Sequence, residues 1–207
     1  SRGFIGGGNN NNVSAINATI AGGQSNTVSG YKGTVGGGDA NRVSGSRGTI
    51  SGGFGATNTG NFSTISGGYR NQIYDCMSTV AGGRQNIANS QYVAIGGGYN
   101  NSVGATADYS TISGGYGNAN NCIYSTIAGG WCNTISNYFS TVAGGRQNTI
   151  SGGYSTIGGG KSNTVSASYG FLGGGCNNIV SGIYATISGG KGNTASAICT
   201  TIGGGGN

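Results

Sequence analysis

The sequence predicts an all-β fold, a parallel β-solenoid or β-roll of about fourteen coils of fifteen residues each. Three observations lead to this prediction. One phrase recurs every fifteen residues, β-branched residues alternate with small ones in short segments, and 49 of the 207 residues are glycine while none is proline. A fixed period of this length is typical of solenoids, in which each repeat stacks on its neighbours.

The repeat is anchored by an aliphatic residue followed, after one small residue, by Gly-Gly. Successive anchors lie fifteen residues apart, except for the seventeen-residue step from Ile95 to Ile112. The anchors are Ile5, Ile20, Val35, Ile50, Ile65, Val80, Ile95, Ile112, Ile127, Val142, Ile157, Leu172, Ile187 and Ile202. The repeat fills the chain and predicts a single repetitive domain over residues 1–207. The chain starts and stops within a repeat, so we expect a fragment or the ordered part of a longer fibre.

Two segments of each repeat have the pattern of β-strands. With the anchor numbered zero, they are Ser-Thr-Ile-x-Gly around the anchor and Asn-Thr-Val-Ser-Gly from position +6. Each has four to five residues with period-two alternation, whereas glycine at this density disfavours a helix by about 1 kcal/mol per residue. Alternation directs the anchor and the aliphatic residue at +8 inward. The Gly-Gly pair is expected at a corner that needs positive φ.

Asparagine recurs at position +6. We expect these side chains to stack along the solenoid, bonding one another and the amides of the turns. One repeat has Ala56 at this position, with Asn58 two places later. This Asn row consists of Asn11, Asn26, Asn41, Asn71, Asn86, Asn101, Asn118, Asn133, Asn148, Asn163, Asn178 and Asn193.

Threonine at −1 and a small residue at +1 form a second recurrent feature. A core of two aliphatic side chains per coil is thin, so we expect association with further chains to add burial. An outward strand face without bulk at +1 is suited to close packing between sheets or chains; alternatively, small residues merely suit a tight coil. The Thr face consists of Thr19, Thr34, Thr49, Thr64, Thr79, Thr111, Thr126, Thr141, Thr156, Thr186 and Thr201.

The segments "NTVSGYKGTVGGG" (26–38) and "NTISNYFSTVAGG" (133–145) resemble head repeats of trimeric autotransporter adhesins of the YadA type. The resemblance covers the whole chain, although the period here is fifteen residues and that of the family is near fourteen. It implies a left-handed parallel β-roll, a homotrimer of side-by-side chains, and adhesion at an extracellular, cell or virion surface.

A second resemblance concerns "NTVSG" (26–30) and "NRVSG" (41–45), which are similar to the repeats of grass ice-binding β-rolls. That resemblance implies an ice-binding face of threonine and serine at +7 and +9. The residues that interrupt this face are Arg42, Gln72, Ile87 and Ile179. Ice binding is therefore the alternative to a structural or adhesive function.

Aromatic residues recur at two turn positions. They either stack on one another and seal a seam between chains, or form an adhesive surface for glycans, matrix proteins or neighbouring fibres. The +12 row contains Phe62, Tyr92, Tyr109, Tyr124, Phe139, Tyr154, Tyr169 and Tyr184, and the +4 row contains Tyr69, Tyr99, Tyr116 and Trp131.

Residues that carry enzyme chemistry are scarce. There is no histidine, and Asp39, Asp75 and Asp108 are the only acidic side chains, in separate repeats. We therefore expect no enzyme, cofactor or metal site. The net charge of +6 is spread along the chain, which disfavours nucleic-acid binding and leaves weak attraction to anionic polysaccharides. No apolar stretch has the length of a membrane span.

Five cysteines lie in different phases of the repeat: Cys76, Cys122, Cys132, Cys176 and Cys199. They are either small packed residues or cross-links between neighbouring chains in an oxidising exterior. Taken together, the sequence predicts a rigid, non-enzymatic extracellular rod or filament that associates with itself.

Overall fold

The computed structural model describes residues 3–206. These residues fall into two compact units, unit 1 ending at Ser102 and unit 2 beginning at Val103. Within 3–206 every regular element is a β-strand, and strands of successive repeats pair in parallel. The predicted all-β parallel solenoid is confirmed in each unit.

Unit 1 contains two parallel sheets. The first consists of β1 (Phe4–Ile5), β3 (Thr19–Ile20), β5 (Thr34–Val35), β7 (Thr49–Ile50), β9 (Thr64–Ile65), β11 (Thr79–Val80) and β13 (Ala94–Ile95). The second consists of β2 (Asn12–Val13), β4 (Thr27–Val28), β6 (Arg42–Val43), β8 (Thr57–Asn58), β10 (Gln72–Ile73) and β12 (Ile87–Ala88). Strand β14 (Ser102–Val103) lies at the boundary of the units.

Unit 2 repeats the arrangement. Its first sheet consists of β15 (Thr111–Ile112), β17 (Thr126–Ile127), β19 (Thr141–Val142), β21 (Thr156–Ile157), β23 (Phe171–Leu172), β25 (Thr186–Ile187) and β27 (Thr201–Ile202). Its second sheet consists of β16 (Ala119–Asn120), β18 (Thr134–Ile135), β20 (Thr149–Ile150), β22 (Thr164–Val165), β24 (Ile179–Val180) and β26 (Thr194–Ala195).

The strands are shorter than the four to five residues expected, and each consists of two residues. The ladder does not extend to +6 or −2, because the amides there donate to side chains of the preceding coil, as Asn163 does to the Asn148 Oδ1 and Ser140 to the Ser125 Oγ. A further parallel bridge forms at +4, for example between Arg146 and Lys161. Coils within each unit are therefore paired at three places around the circumference, and the sequence predicted only two.

The core follows the predicted alternation. Ile127 at an anchor and Ile135 at +8 are fully buried, whereas Thr126 and Thr134 beside them are partly exposed. Each strand residue is paired with the residue at the same repeat position in the next coil, with Thr126 opposite Thr141 and Ile127 opposite Val142. Outward side chains therefore form straight rows along each unit, one residue per coil.

Two asparagines replace the aliphatic residue at +8, so Asn58 lies in the core and not in the Asn row. The Nδ2 of Asn58 donates to the Ser63 carbonyl at 2.8 Å, and Asn120 makes the same contact with the Ser125 carbonyl. The Oδ1 atom of each is buried and has no hydrogen-bond partner. An unpaired buried acceptor costs free energy, so each of these two coils has a destabilising group in its core.

The second glycine of each Gly-Gly pair forms the corner, with the positive φ that the sequence predicts. At Gly145, φ is 87°, and a Cβ atom would lie 2.2 Å from the Gly160 carbonyl oxygen of the next coil. A side chain is therefore excluded there both by conformation and by contact.

Candidate interaction surfaces

The Asn row belongs to the scaffold. The Oδ1 of Asn148 accepts from the Asn163 amide at 3.0 Å, and its Nδ2 donates to the Gly144 and Gly160 carbonyls at 3.0 and 3.1 Å. The contacts thus run from side chain to backbone, within the coil and into the next one. Asn148 is fully buried, and its polar atoms are occupied by the solenoid itself.

A serine row at −2, the first position of the Ser-Thr-Ile-x-Gly segment, carries a second set of contacts. The Ser140 amide donates to the Ser125 Oγ at 3.3 Å, and the Ser140 Oγ lies 3.1 Å from the Tyr138 and Gly152 carbonyls. The sequence signal is serine at this position in six of the seven successive repeats from Ser63 to Ser155. Members of the row are Ser63, Ser78, Ser110, Ser125, Ser140 and Ser155.

The Thr face lies outward on the first sheet. In unit 1 Thr49 is opposite Thr64, which is opposite Thr79, and the residue at +1, such as Ser51, is exposed. A Cβ atom added at Gly52, the next position, would meet nothing within 4 Å. The surface here has no bulky side chains. In unit 2 it is interrupted by Phe171, which is 45% exposed.

The +12 row of unit 2 is a continuous stack of aromatic rings. Neighbouring ring centroids are 4.8–5.0 Å apart, and neighbouring ring planes lie within 17° of parallel. The rings belong to Tyr109, Tyr124, Phe139, Tyr154, Tyr169 and Tyr184, each about half exposed. Tyr138, at the neighbouring turn position, meets Phe139 and Tyr154 edge-on. Because each ring covers the face of the next, the stack presents ring edges and phenol groups outward.

The +12 row of unit 1 has a different character. It includes Lys32 and Arg47 before Phe62, and the Arg47 guanidinium lies 4.9 Å from the Phe62 ring centroid. Met77 follows in the next coil and is 49% exposed. This row is therefore mixed, with cationic, thioether and aromatic members.

The +4 row contains aromatic rings with arginine interspersed among them. Arg84 lies 5.2 Å from the ring centroids of both Tyr69 and Tyr99 in unit 1. In unit 2, the Arg146 guanidinium lies 3.7 Å above the Trp131 ring, and Tyr116 is tilted by 57° against that ring. Cation–π contacts of this kind hold the arginine heads at the surface.

Other kinds of site are not seen in residues 3–206. No pocket and no cluster of metal-ligating side chains was found there, and none of its elements is a helix with the length and apolarity to cross a membrane. The five cysteines are free thiols, of which Cys199 is exposed. The candidate functional features are therefore surfaces: the Thr face and the two aromatic rows.

No protein-family model and no curated protein matches this sequence.

Proposed function

We propose that this chain is a non-enzymatic structural or adhesive protein whose coils form the stiff part of an extracellular fibre, and that it associates with copies of itself, a trimer being the favoured assembly. The observation that supports the proposal is the set of straight outward rows, in which one residue type recurs once per coil. A row of this kind suits a partner that is itself repetitive, such as another solenoid or a polysaccharide.

The Thr face is the surface proposed for side-by-side packing. Small residues at +1 and glycine at +2 allow another backbone to approach closely. At Gly52 no neighbour within the chain lies where a Cβ would be, whereas the backbone at Gly97, the same position, has a φ of 147° that itself favours glycine. The resemblance to adhesin head repeats agrees with such packing and suggests adhesion to host glycans or matrix proteins at a cell or virion surface.

Ice binding is the second candidate, and one observation favours it. Unit 1 aligns Thr19, Thr34, Thr49, Thr64 and Thr79 in register on five successive coils. The +7 row is less suitable because Arg42, Gln72 and Ile87 stand among its threonines in the same register. Phe171 on the Thr face of unit 2 favours a protein partner over ice.

Light scattering of the purified chain, with and without reductant, together with negative-stain images, tests the proposal. We expect a defined multimer or elongated filaments that persist in reductant. Ala128→Phe places bulk at +1 of the Thr face and should reduce the native mass, whereas Ser136→Phe, on the exposed side of the second sheet, should not. A monomer at all concentrations would contradict the proposal, and thermal hysteresis of that monomer would then support ice binding.

A further inference from the structure

The aromatic strip of unit 2 consists of its +12 row and the neighbouring exposed residues Tyr138, Ile183 and Ile198. We infer that this strip is a docking surface for the same strip of a second copy of the chain. The inference rests on the proposed self-association but assigns it to a different face, so the two can fail separately.

The backbone of the strip is the first argument. Tyr154 and Tyr169 have φ of 55° and 59°, a left-handed conformation that costs a non-glycine residue roughly 1–2 kcal/mol. Asparagine adopts it more easily and does so at the same position in unit 1, at Asn17 (φ 57°). The coil imposes the same conformation on Lys32 and Phe62 in unit 1, and what distinguishes unit 2 is an aromatic residue in this costly conformation in six successive coils.

The exposed area is the second argument. Aromatic side chains carry roughly 150–250 Å², so seven of them at about half exposure present on the order of 650 Å². This exceeds the roughly 300–600 Å² of the largest apolar patch on a typical monomer. Adding Ile183 and Ile198, which are 44% and 69% exposed, brings the strip close to the roughly 800 Å² per partner of a stable interface.

The chemistry of the strip limits the occupant. Sugars and organic cations bind aromatic residues through ring faces, and here most faces are covered by the neighbouring ring. Asp108 is the only charged residue at the turn positions that form the strip, so a charged polymer finds no complementary row. What remains available is a set of ring edges and hydroxyl groups at intervals of 4.8–5.0 Å.

A second copy matches this surface without adjustment. Its rings have the same interval, so one match between two rows repeats at every coil. When the same surface of two chains forms the contact, as in isologous interfaces, the assembly is complete with two chains. Edge-to-face pairs such as Tyr138 with Tyr154, at 5.4 Å and 88°, show that the ring edges accept another aromatic ring.

Sedimentation of the full chain over a range of concentrations tests the inference. The variant Tyr154→Asn with Tyr169→Asn should raise the dissociation constant at least 100-fold, because central aromatic residues dominate interface energetics. The matched control, Phe62→Asn with Tyr92→Asn, changes the same position in unit 1 and should leave the constant within about threefold. Circular dichroism and thermal unfolding would verify that both variants fold.

Hydroxyl-radical footprinting measures the exposure of individual side chains. If the strip had a purely structural role, that exposure would not depend on protein concentration. Oxidation of Tyr154 and Tyr169 should fall severalfold between dilute and concentrated samples, while Tyr74, exposed on unit 1, should be oxidised equally in both. Concentration-independent oxidation, or a double variant that keeps the wild-type mass, would overturn the inference.

The outcomes also separate the two faces. If Ala128→Phe lowers the mass and the tyrosine variant does not, self-association stands and the aromatic docking surface is wrong. If the wild-type chain is a monomer throughout, both are wrong. Loss of polysaccharide binding by the tyrosine variant at unchanged mass would assign the strip to a glycan and overturn the inference as well.

Discussion

The two +12 rows share a backbone and differ in chemistry. In unit 1 Lys32 has φ of 54°, and in unit 2 Tyr154 has φ of 55°. Yet the residues of unit 2 form a stack of aromatic rings, whereas those of unit 1 include an arginine above one phenylalanine. The coil thus imposes a left-handed conformation at this position and leaves the side chain open. The aromatic character of unit 2 is a property of its surface and not a condition of the fold.

Approximate energies agree with this view. A stacked aromatic pair contributes about 0.5–1.5 kcal/mol, which roughly offsets the cost of one left-handed non-glycine residue. Folding alone then gives little preference for tyrosine over asparagine at Tyr154. Substitutions at matched positions of the two units show whether the units differ in the stability of their scaffolds or only in the side chains of their +12 rows.

The largest effect is expected where both units depend on the same corner. Gly53→Ala in unit 1 and Gly190→Ala in unit 2 should each lower the free energy of unfolding by about 3 kcal/mol or more, because strain and a backbone clash combine. The φ values are 93° and 94°, and a Cβ would lie 2.3 and 2.1 Å from the next carbonyl oxygen. Chemical denaturation of each variant gives the measurement.

The adjacent glycines provide the control for these substitutions. Gly52→Ala and Gly189→Ala place a methyl group where nothing lies within 4 Å, in backbone outside the left-handed range. Their free energy of unfolding should change by less than about 1 kcal/mol. A large loss at Gly52 in the dilute chain would mean that the Thr face is constrained from within the chain.

The Asn row should give the next effect. Asn148→Ala removes the acceptor of the buried Asn163 amide and should cost about 2 kcal/mol. Unit 1 offers the reverse experiment, because Ala56 already interrupts the row. Ala56→Asn should raise the free energy of unfolding by about 1 kcal/mol, measured in the same way. If Ala56→Asn does not raise the free energy of unfolding, this coil is not destabilised by the lack of an asparagine at this position.

Much of this scaffold was accessible from the sequence because its causes are local and periodic. The fifteen-residue spacing gave the parallel register, and alternation placed Ile127 inside and Thr126 outside. Strand length was not accessible, since the repeat does not show that the amides at +6 and −2 bond to side chains of the preceding coil, as at Asn163 and Ser140, and leave the backbone ladder.

The polar contacts of the interior were only partly accessible. Serine at −2 begins the first predicted strand segment, but the repeat alone does not show that its hydroxyl both accepts and donates, as at Ser140. Asn58 lies two places from the Asn-row position and replaces the aliphatic residue at +8. Its spacing of fifteen residues from Val43 and from Ile73 was the signal that it belongs to the core. Surface function depends on partners, which the repeat does not specify.

The two core asparagines should give a gain of similar size in each unit. Asn58→Val and Asn120→Val each remove a buried Oδ1 without a partner and should raise the free energy of unfolding by about 1 kcal/mol. The Ser63 carbonyl keeps a partner in the Thr49 amide, so the lost Nδ2 contact costs little. Thermal and chemical unfolding would measure the gain. A loss in either unit would indicate that the unpaired oxygen binds an internal water.

The smallest effect is expected for matched substitutions in the two +12 rows. At concentrations low enough to keep the chain dissociated, Tyr154→Asn removes two stacked neighbours, at 5.0 Å each, but relieves left-handed strain. Its free energy of unfolding should fall by only about 1 kcal/mol. Phe62→Asn loses one arginine contact, worth about 0.5–1 kcal/mol at an exposed site, and should be close to neutral. If Tyr154→Asn instead cost about 3 kcal/mol in the dissociated chain, the stack would be part of the fold of unit 2. The aromatic row would then need no partner to explain it, and the difference between the units would be one of stability.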